Sequence, residues 1–422
     1  MLIDRWMTKE PQWLAAMAIL LLGTAFLITQ TLTDRGGHSQ LGPPLGGDFS
    51  GFYAAGRAAQ AHGLMAPYDL AIQNDHYHAA FPAIASTSRF PYIYPPFLTA
   101  VFRPLSRLPY RTAALLWIGM LIALTAIGFV ILSRLAGDLS GGDWLRVCGL
   151  ILAFEPLLFE SILGGQLSPI AFSVMAGIVL TESRQQSFRS GLLLSLLCYK
   201  PTLLIVILPM WGIGRRWSSL AGFTWGALIV GLLTVSLVGF GGTIEYAERL
   251  LDFARLTRSA GLELRTWKYV DITAFWRLML GKTELAQWLS LLFGGGGALF
   301  LARQWARSAR SSLPPRLPLW AATCVATLIL NVYVATYDVI LAIPAILGVW
   351  LTQRSRVESN APAPGNLDRM LAVMWISPWL AASLSQSTGL QLLTPALGGL
   401  AVYLAQIPAP QSNKNTASQI DV

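Results

Sequence analysis

Residues 13–32 read WLAAMAILLLGTAFLITQTL, a run without a single charged side chain. As a helix rising 1.5 Å per residue it is long enough for the roughly 30 Å hydrocarbon core of a bilayer, so it is predicted to cross a membrane. It exceeds the apolar core of a secretory signal, and no small-x-small site follows it, so it reads as a retained span. Comparable runs recur at 111–135, 144–162, 166–182, 217–240, 284–302, 317–331, 338–353, 370–386 and 390–406. Of the 422 residues, 54% are hydrophobic and only 12% are charged. Soluble domains carry about 25% charged residues, so a soluble globular protein is excluded.

The expected fold is an all-α integral membrane protein, a helical bundle of about ten full spans. The segment 188–213 is the exception among the apolar runs. Arg184 and Arg189 precede it, Arg215 and Arg216 follow it, and Lys200-Pro201 interrupts its middle. A single crossing would leave one basic pair on the wrong side, and proline breaks a helix by removing a backbone donor. A re-entrant or short helix pair with Lys200 near its apex fits better. Residues 1–406 are read as a single membrane domain, and the polar stretch 407–422 as a disordered cytoplasmic tail.

Basic residues set the orientation. With the N-terminus inside, sixteen bases fall on the cytoplasmic side and thirteen outside. The short loops at 215–216, 303–316 and 354–369 carry the bias, and short loops decide topology. The outer bases gather in two long loops, 33–110 and 241–283, expected to lie outside the inner membrane of a bacterium and to carry short amphipathic helices. Their charge is either ordinary surface charge or a place for an anionic ligand such as a lipid phosphate. Arg249, Arg255 and Arg258 recur at roughly helical spacing on the amphipathic stretch 244–257, which favours the second reading. The net charge of +9 serves topology first, and no nucleic-acid partner is expected.

The three cysteines, Cys148, Cys198 and Cys324, lie in apolar runs and read as core thiols. All four histidines fall in the first long loop, and His76-x-His78 lacks the spacing that puts two ligands on one helix face. No metal or other cofactor is expected.

The first loop opens with GGDFSGFYAAGR at 46–57. Asp48 stands before a short helical pattern, where its carboxylate could cap the helix, act as a general base, or do both. Farther along come Gly63, Pro67-Tyr68-Asp69 and FPYIYPPF at 90–97, with RPLSRLP closing the loop at 103–109. Lys200 needs a partner or a polar cavity, because an unpaired lysine in hydrocarbon is costly; Glu155 or Glu160 could pair with it.

In that order these elements resemble glycosyltransferase family 87, membrane glycosyltransferases of the GT-C type that use polyprenyl-phosphate sugars. Gly165-Gln166-Leu167-Ser168 is similar to the family's Gly-Gln-x-Asn element, with Ser168 in place of asparagine. Tyr199-Lys200-Pro201 is similar to its Lys-Pro element. Tyr333 with Tyr337-Asp338 resembles a late Pro-Tyr…Tyr-Asp element, with Val332 in place of proline. The resemblance covers roughly residues 10–350. It implies a GT-C-type bundle and a mannosyltransferase-like activity, inverting at the anomeric carbon, with a glycan or glycolipid acceptor and membrane lipids as further partners. It puts the catalytic base at Asp48 and makes Lys200 the first candidate for the donor phosphate, where the basic spacing of the second loop adds Arg255 and Arg258. Tyr53, Tyr94, Gln166, Tyr337 and Asp338 would contact substrate; Asp338 would either orient the acceptor or pair with an outer arginine. The competing readings are a transporter or flippase of lipid-linked saccharides and a non-catalytic scaffold. The missing internal repeat weakens the transporter.

Overall fold

The computed structural model describes residues 10–34, 44–82, 91–137, 139–258, 266–310, 317–357 and 366–407. Among these residues the chain is helical throughout and forms no strand, only one isolated bridge between Tyr269 and Ala335. Residues 408–422 of the expected tail lie outside the described residues.

The described elements begin with α1 (Glu10–Thr33), followed by three short helices of the first loop: α2 (Phe49–His62), α3 (Leu70–Ala80) and α4 (Pro96–Leu105). Helices α5 (Tyr110–Ser133) and α6 (Gly141–Leu152) follow, then a π-helical turn, Pro156–Leu163, and α7 (Ser168–Ser183). The segment around Lys200 is α8 (Ser187–Ser195), two 3-10 turns (Leu196–Tyr199 and Pro201–Leu204), and α9 (Ile207–Ile213). After it come α10 (Trp217–Arg258), α11 (Ile272–Leu280), α12 (Glu284–Arg310) and α13 (Leu317–Ile329). A 3-10 turn, Thr336–Leu341, leads into α14 (Ile343–Val357), and α15 (Asn366–Thr388) and α16 (Leu393–Gln406) complete the described chain.

Among the described residues five helical segments are long and apolar enough to cross a membrane: Glu10–Thr33, Tyr110–Ser133, Trp217–Phe253, Glu284–Arg310 and Thr336–Arg354. Several of the other expected spans are shorter helices, including Ser168–Ser183, Leu317–Ile329 and Leu393–Gln406. The run 144–162 is not one straight span, because Pro156 cannot donate to the preceding turn and the helix passes into a π turn there. The run 217–240 extends instead to Arg258 across a kink at Gly239, whose φ of +73° favours glycine. The break expected at Lys200-Pro201 is present.

Burial separates two kinds of span. Leu228, Leu232, Leu291 and Leu292 on α10 and α12 are exposed, as are Leu21 and Leu22 on α1. So much exposed apolar side chain is the outer face of a bundle solvated by lipid, and the chain is a membrane protein. The segment Thr336–Arg354 is the opposite case, with 89% of its apolar window buried. It forms the middle of the bundle, packed on α7 and α13.

The first loop is held to this bundle by aromatic rings. Phe52 stacks on Phe102 at 4.7 Å, and Phe49 stacks on Trp117 of α5 at 5.6 Å. The small residues of α2 let α4 come close: a Cβ on Gly56 would lie 2.5 Å from the Phe102 carbonyl oxygen. The AAGRAA pattern is therefore a packing surface between two short helices.

Candidate active site

Asp48 is placed by a glycine-on-glycine junction. Gly46-Gly47 meets Gly164-Gly165 so closely that a Cβ on Gly165 would lie 2.3 Å from the Gly46 carbonyl oxygen. Gly46, Gly47 and Gly165 all take φ values between +49° and +73°, which glycine adopts without the Cβ penalty. The Asp48 amide donates to the Gly164 carbonyl at 2.9 Å, and Trp117 Nε1 donates to the Gly165 carbonyl at 2.8 Å. The two chain segments are thereby locked 118 residues apart in sequence.

This junction brings Gln166 to Asp48, and Gln166 Nε2 donates to Asp48 Oδ2. Gln166 is buried, whereas Asp48 is exposed. The capping alternative for Asp48 does not hold. Its backbone already lies in the helical region (φ −70°, ψ −15°), and its carboxylate accepts nothing from the amides of α2. Capping in this loop falls to Asp69 instead, whose carboxylate accepts from the Ala71 and Ile72 amides.

A second cluster forms around Lys200. The residue before a proline is pushed out of the helical region, and Lys200 sits at φ −137°, ψ 79° between the two 3-10 turns. Its Nζ lies 2.5 Å from Asp338 Oδ2 and 5.0 Å from the centre of the Tyr337 ring. Both side chains of the ion pair are largely buried, at 16% and 5% exposure. The partner is thus Asp338, not Glu155 or Glu160, and Asp338 pairs with a lysine of the bundle, not with an outer arginine. Asp338 Oδ2 also accepts from the Ala335 amide at 3.1 Å.

Tyr94 joins the clusters. Burial pushes its phenol well above the ordinary range, and the negative charges of Asp338 and Asp48 add to that shift. It stays a neutral hydroxyl within the electrostatic reach of both carboxylates. Tyr337 lies within the same field of Asp338, Asp48 and Tyr94. Of the expected site residues, Asp48, Tyr94, Gln166, Lys200, Tyr337 and Asp338 therefore come together.

Others do not join them. Tyr53 is buried among Phe49, Phe81 and Tyr110, and its hydroxyl donates to the Leu108 carbonyl at 2.8 Å. Arg255 is exposed on α10 and pairs with Asp252 at 3.1 Å, within its own helix. Arg258 ends that helix, and its side chain lies outside what is described.

Several residues near the cluster escaped the sequence reading as site residues. Thr336 Oγ1 donates to Glu160 Oε2. Lys268 acts on Glu155 and Glu160 as the nearby positive charge. Lys268 and the neighbouring Tyr269 are brought in by the bridge between Tyr269 and Ala335, by the Val270 amide donating to the Val334 carbonyl at 2.8 Å, and by Gln391 and Thr394, which donate to the Tyr269 and Val270 carbonyls. The available signal was that Glu160 is an acid inside an apolar run. All three cysteines are free, with Cys324 buried and the other two half-buried. Among the described residues no group of three or more His, Cys, Asp or Glu side chains is arranged to hold a metal ion.

The family model of glycosyltransferase family 87 matches residues 92–313, just over half of the chain. The chain belongs to glycosyltransferase family 87. As a family 87 member it is a glycosyltransferase that takes a sugar donor and an acceptor, which sets aside the transporter and scaffold readings. The matched stretch contains Tyr94, Gln166 and Lys200; Asp48, Tyr337 and Asp338 lie outside it and reach the family's segment through the contacts above. No curated protein and no solved structure matches the chain.

Proposed function

We propose that this family 87 enzyme transfers a mannose-like sugar from a polyprenyl phosphate to an envelope glycan or lipid. The reaction takes place on the outer side of a bacterial inner membrane. The observation that carries this reading is the state of Asp48: an exposed carboxylate, free of any capping duty and aimed by a buried amide. A carboxylate so held keeps a lone pair for a proton, and among the described residues no cation is paired with it.

In the proposed step Asp48 takes the proton from an acceptor hydroxyl. The oxygen forms a bond to the anomeric carbon from the face opposite the phosphate. The bond from that carbon to the phosphate oxygen breaks, the electron pair leaves with the lipid phosphate, and the configuration inverts. Negative charge then develops on the leaving oxygen, and preorganised positive charge is worth most at that position. Lys200 is the residue assigned to it: Asp338 and the Tyr337 ring hold its ammonium in one place, and an ammonium has three donors, so two remain after the ion pair. Tyr94 is assigned to the sugar as a neutral hydrogen-bonding hydroxyl. The lysine charge suffices for a monophosphate leaving group, so the step is written without a metal ion. Arg255, paired at the surface, is left out of this assignment.

The test is Asp48→Asn in the full chain, assayed for transfer from radiolabelled polyprenyl-phosphate mannose to a membrane lipid and glycan extract. Loss of a general base should lower transfer by about 10²–10⁴-fold at unchanged protein level. Undiminished transfer would remove Asp48 from the reaction.

A further inference from the structure

We infer that Glu160 is a positioning residue that ties the Asp48 side of the site to the Lys200–Asp338 side. The inference rests on the proposed reading of Asp48 and Lys200 and adds a residue to it.

Glu160 belongs to the π-helical turn Pro156–Leu163. Such turns are rare, hold an extra residue per turn, and often mark functional sites because they rotate side chains out of the helical register. This turn serves both sides. Its C-terminal end runs into Gly164-Gly165, which seats Asp48, and into Gln166, which holds the Asp48 carboxylate. The Glu160 carboxylate accepts the hydroxyl of Thr336, which opens the 3-10 turn carrying Tyr337 and Asp338. One short segment therefore grips Asp48 through an amide and Asp338 through the start of its own turn.

The charges around Glu160 agree with that place. Lys268, Asp48 and Asp338 are close enough to act on it electrostatically, and Glu155 neighbours it within the same stretch. A carboxylate among other carboxylates in an apolar bundle is costly unless it is bonded. Thr336 supplies the bond, and a hydroxyl donating to a carboxylate is among the stronger hydrogen bonds. Glu160 acts through Thr336 on the Tyr337-Asp338 turn, and so on the direction in which Lys200 points.

The experiment compares Glu160→Leu, Glu160→Gln, Thr336→Val and Thr336→Ser with the wild type and with Asp48→Asn. All are full chains purified in detergent and assayed with radiolabelled polyprenyl-phosphate mannose. Glu160→Leu and Thr336→Val should each lower kcat by about 10–100-fold, with donor KM within about threefold, because the loss falls on geometry at the reacting centre. Thr336→Ser should return kcat to within about threefold of wild type, and Glu160→Gln should fall between, since its carbonyl still accepts. The double variant Glu160→Leu/Thr336→Val should be no worse than the worse single variant. Wild-type kcat in Thr336→Val, losses that multiply in the double variant, or losses confined to KM would each overturn the inference, and an inactive Asp48→Asn would still leave the base assignment standing. Should Glu160→Leu fail to fold, the Thr336→Val and Thr336→Ser pair decides the matter. A wild type that refuses the probe would count against the proposed donor. The two single variants Glu160→Leu and Thr336→Val and their double variant are then compared by thermal unfolding: non-additive shifts support the tie, and additive shifts overturn it.

Discussion

Asp48 and Asp338 carry the same side chain in one site, and their surroundings give them opposite chemistry. Asp48 is exposed, and its partner is the neutral amide of Gln166. Asp338 is buried, and its partner is the ammonium of Lys200. A carboxylate with open access can meet a substrate hydroxyl, whereas one bonded to a lysine inside the bundle is shut away from substrate and serves as that lysine's partner. What separates the proposed base from the lysine's partner is the identity of the nearest donor and the access to it.

The comparison breaks first if Lys200 is removed. Lys200→Met should strand the Asp338 charge inside the bundle and cost about 3–5 kcal/mol of stability, read by thermal unfolding in detergent, with transfer abolished. Lys200→Met/Asp338→Leu should recover most of the stability and none of the transfer. Recovery of both would mean that the pair is only structural. The next largest effect concerns the junction that seats Asp48. Gly165→Ala must enter a positive-φ conformation and push against the Gly46 carbonyl, for about 2–4 kcal/mol of destabilisation together with loss of transfer. A Gly165→Ala protein with wild-type stability would show that the segments have room to part.

Gln166→Leu sharpens the other half. It removes one bond to a carboxylate that retains its access to solvent, so stability should change little while transfer falls about 10–100-fold. The smallest effect tests burial without a cation. Asp271, on the segment beside the cluster, accepts from the Ala274 amide at 2.9 Å, and burial pushes its carboxyl up to about 6. The folded chain then holds the proton more tightly than the unfolded chain, so this contribution is complete below an unfolded value of about 3.9 and is lost as the pH rises through about 6. Asp271→Asn should therefore raise the unfolding temperature at pH 7.5, by about 1–3 kcal/mol of stability, and flatten the slope between the two values. A variant less stable than wild type at pH 7.5 would show that the charged cap outweighs its desolvation.

Much of the site was legible because its local chemistry is loud. Gly-Gly-Asp after a membrane helix, and Lys-Pro inside an apolar run, stand out against a background of only 12% charged residues. The partners were not legible. Lys200 finds Asp338 across 138 residues, although Glu155 and Glu160 are far nearer in sequence, because the 3-10 turn at Thr336–Leu341 packs against the π turn and delivers Asp338 while Thr336 occupies Glu160. Arg255 and Arg258 had helical spacing in their favour, but an exposed arginine on α10 can satisfy its charge within its own turn, as Arg255 does with Asp252. Tyr53 had the right neighbours in sequence and points into the aromatic packing, because one face of α2 is needed to dock the loop.

The sequence by itself determined the solvent, the helical class and the residues able to carry charge into it, since hydrocarbon permits few structures and makes every charge conspicuous. Only the tertiary structure decided which carboxylate is open and which is neutralised. That depends on glycine contacts and two short turns that bring distant segments within hydrogen-bond range, and composition and periodicity carry no record of such distances.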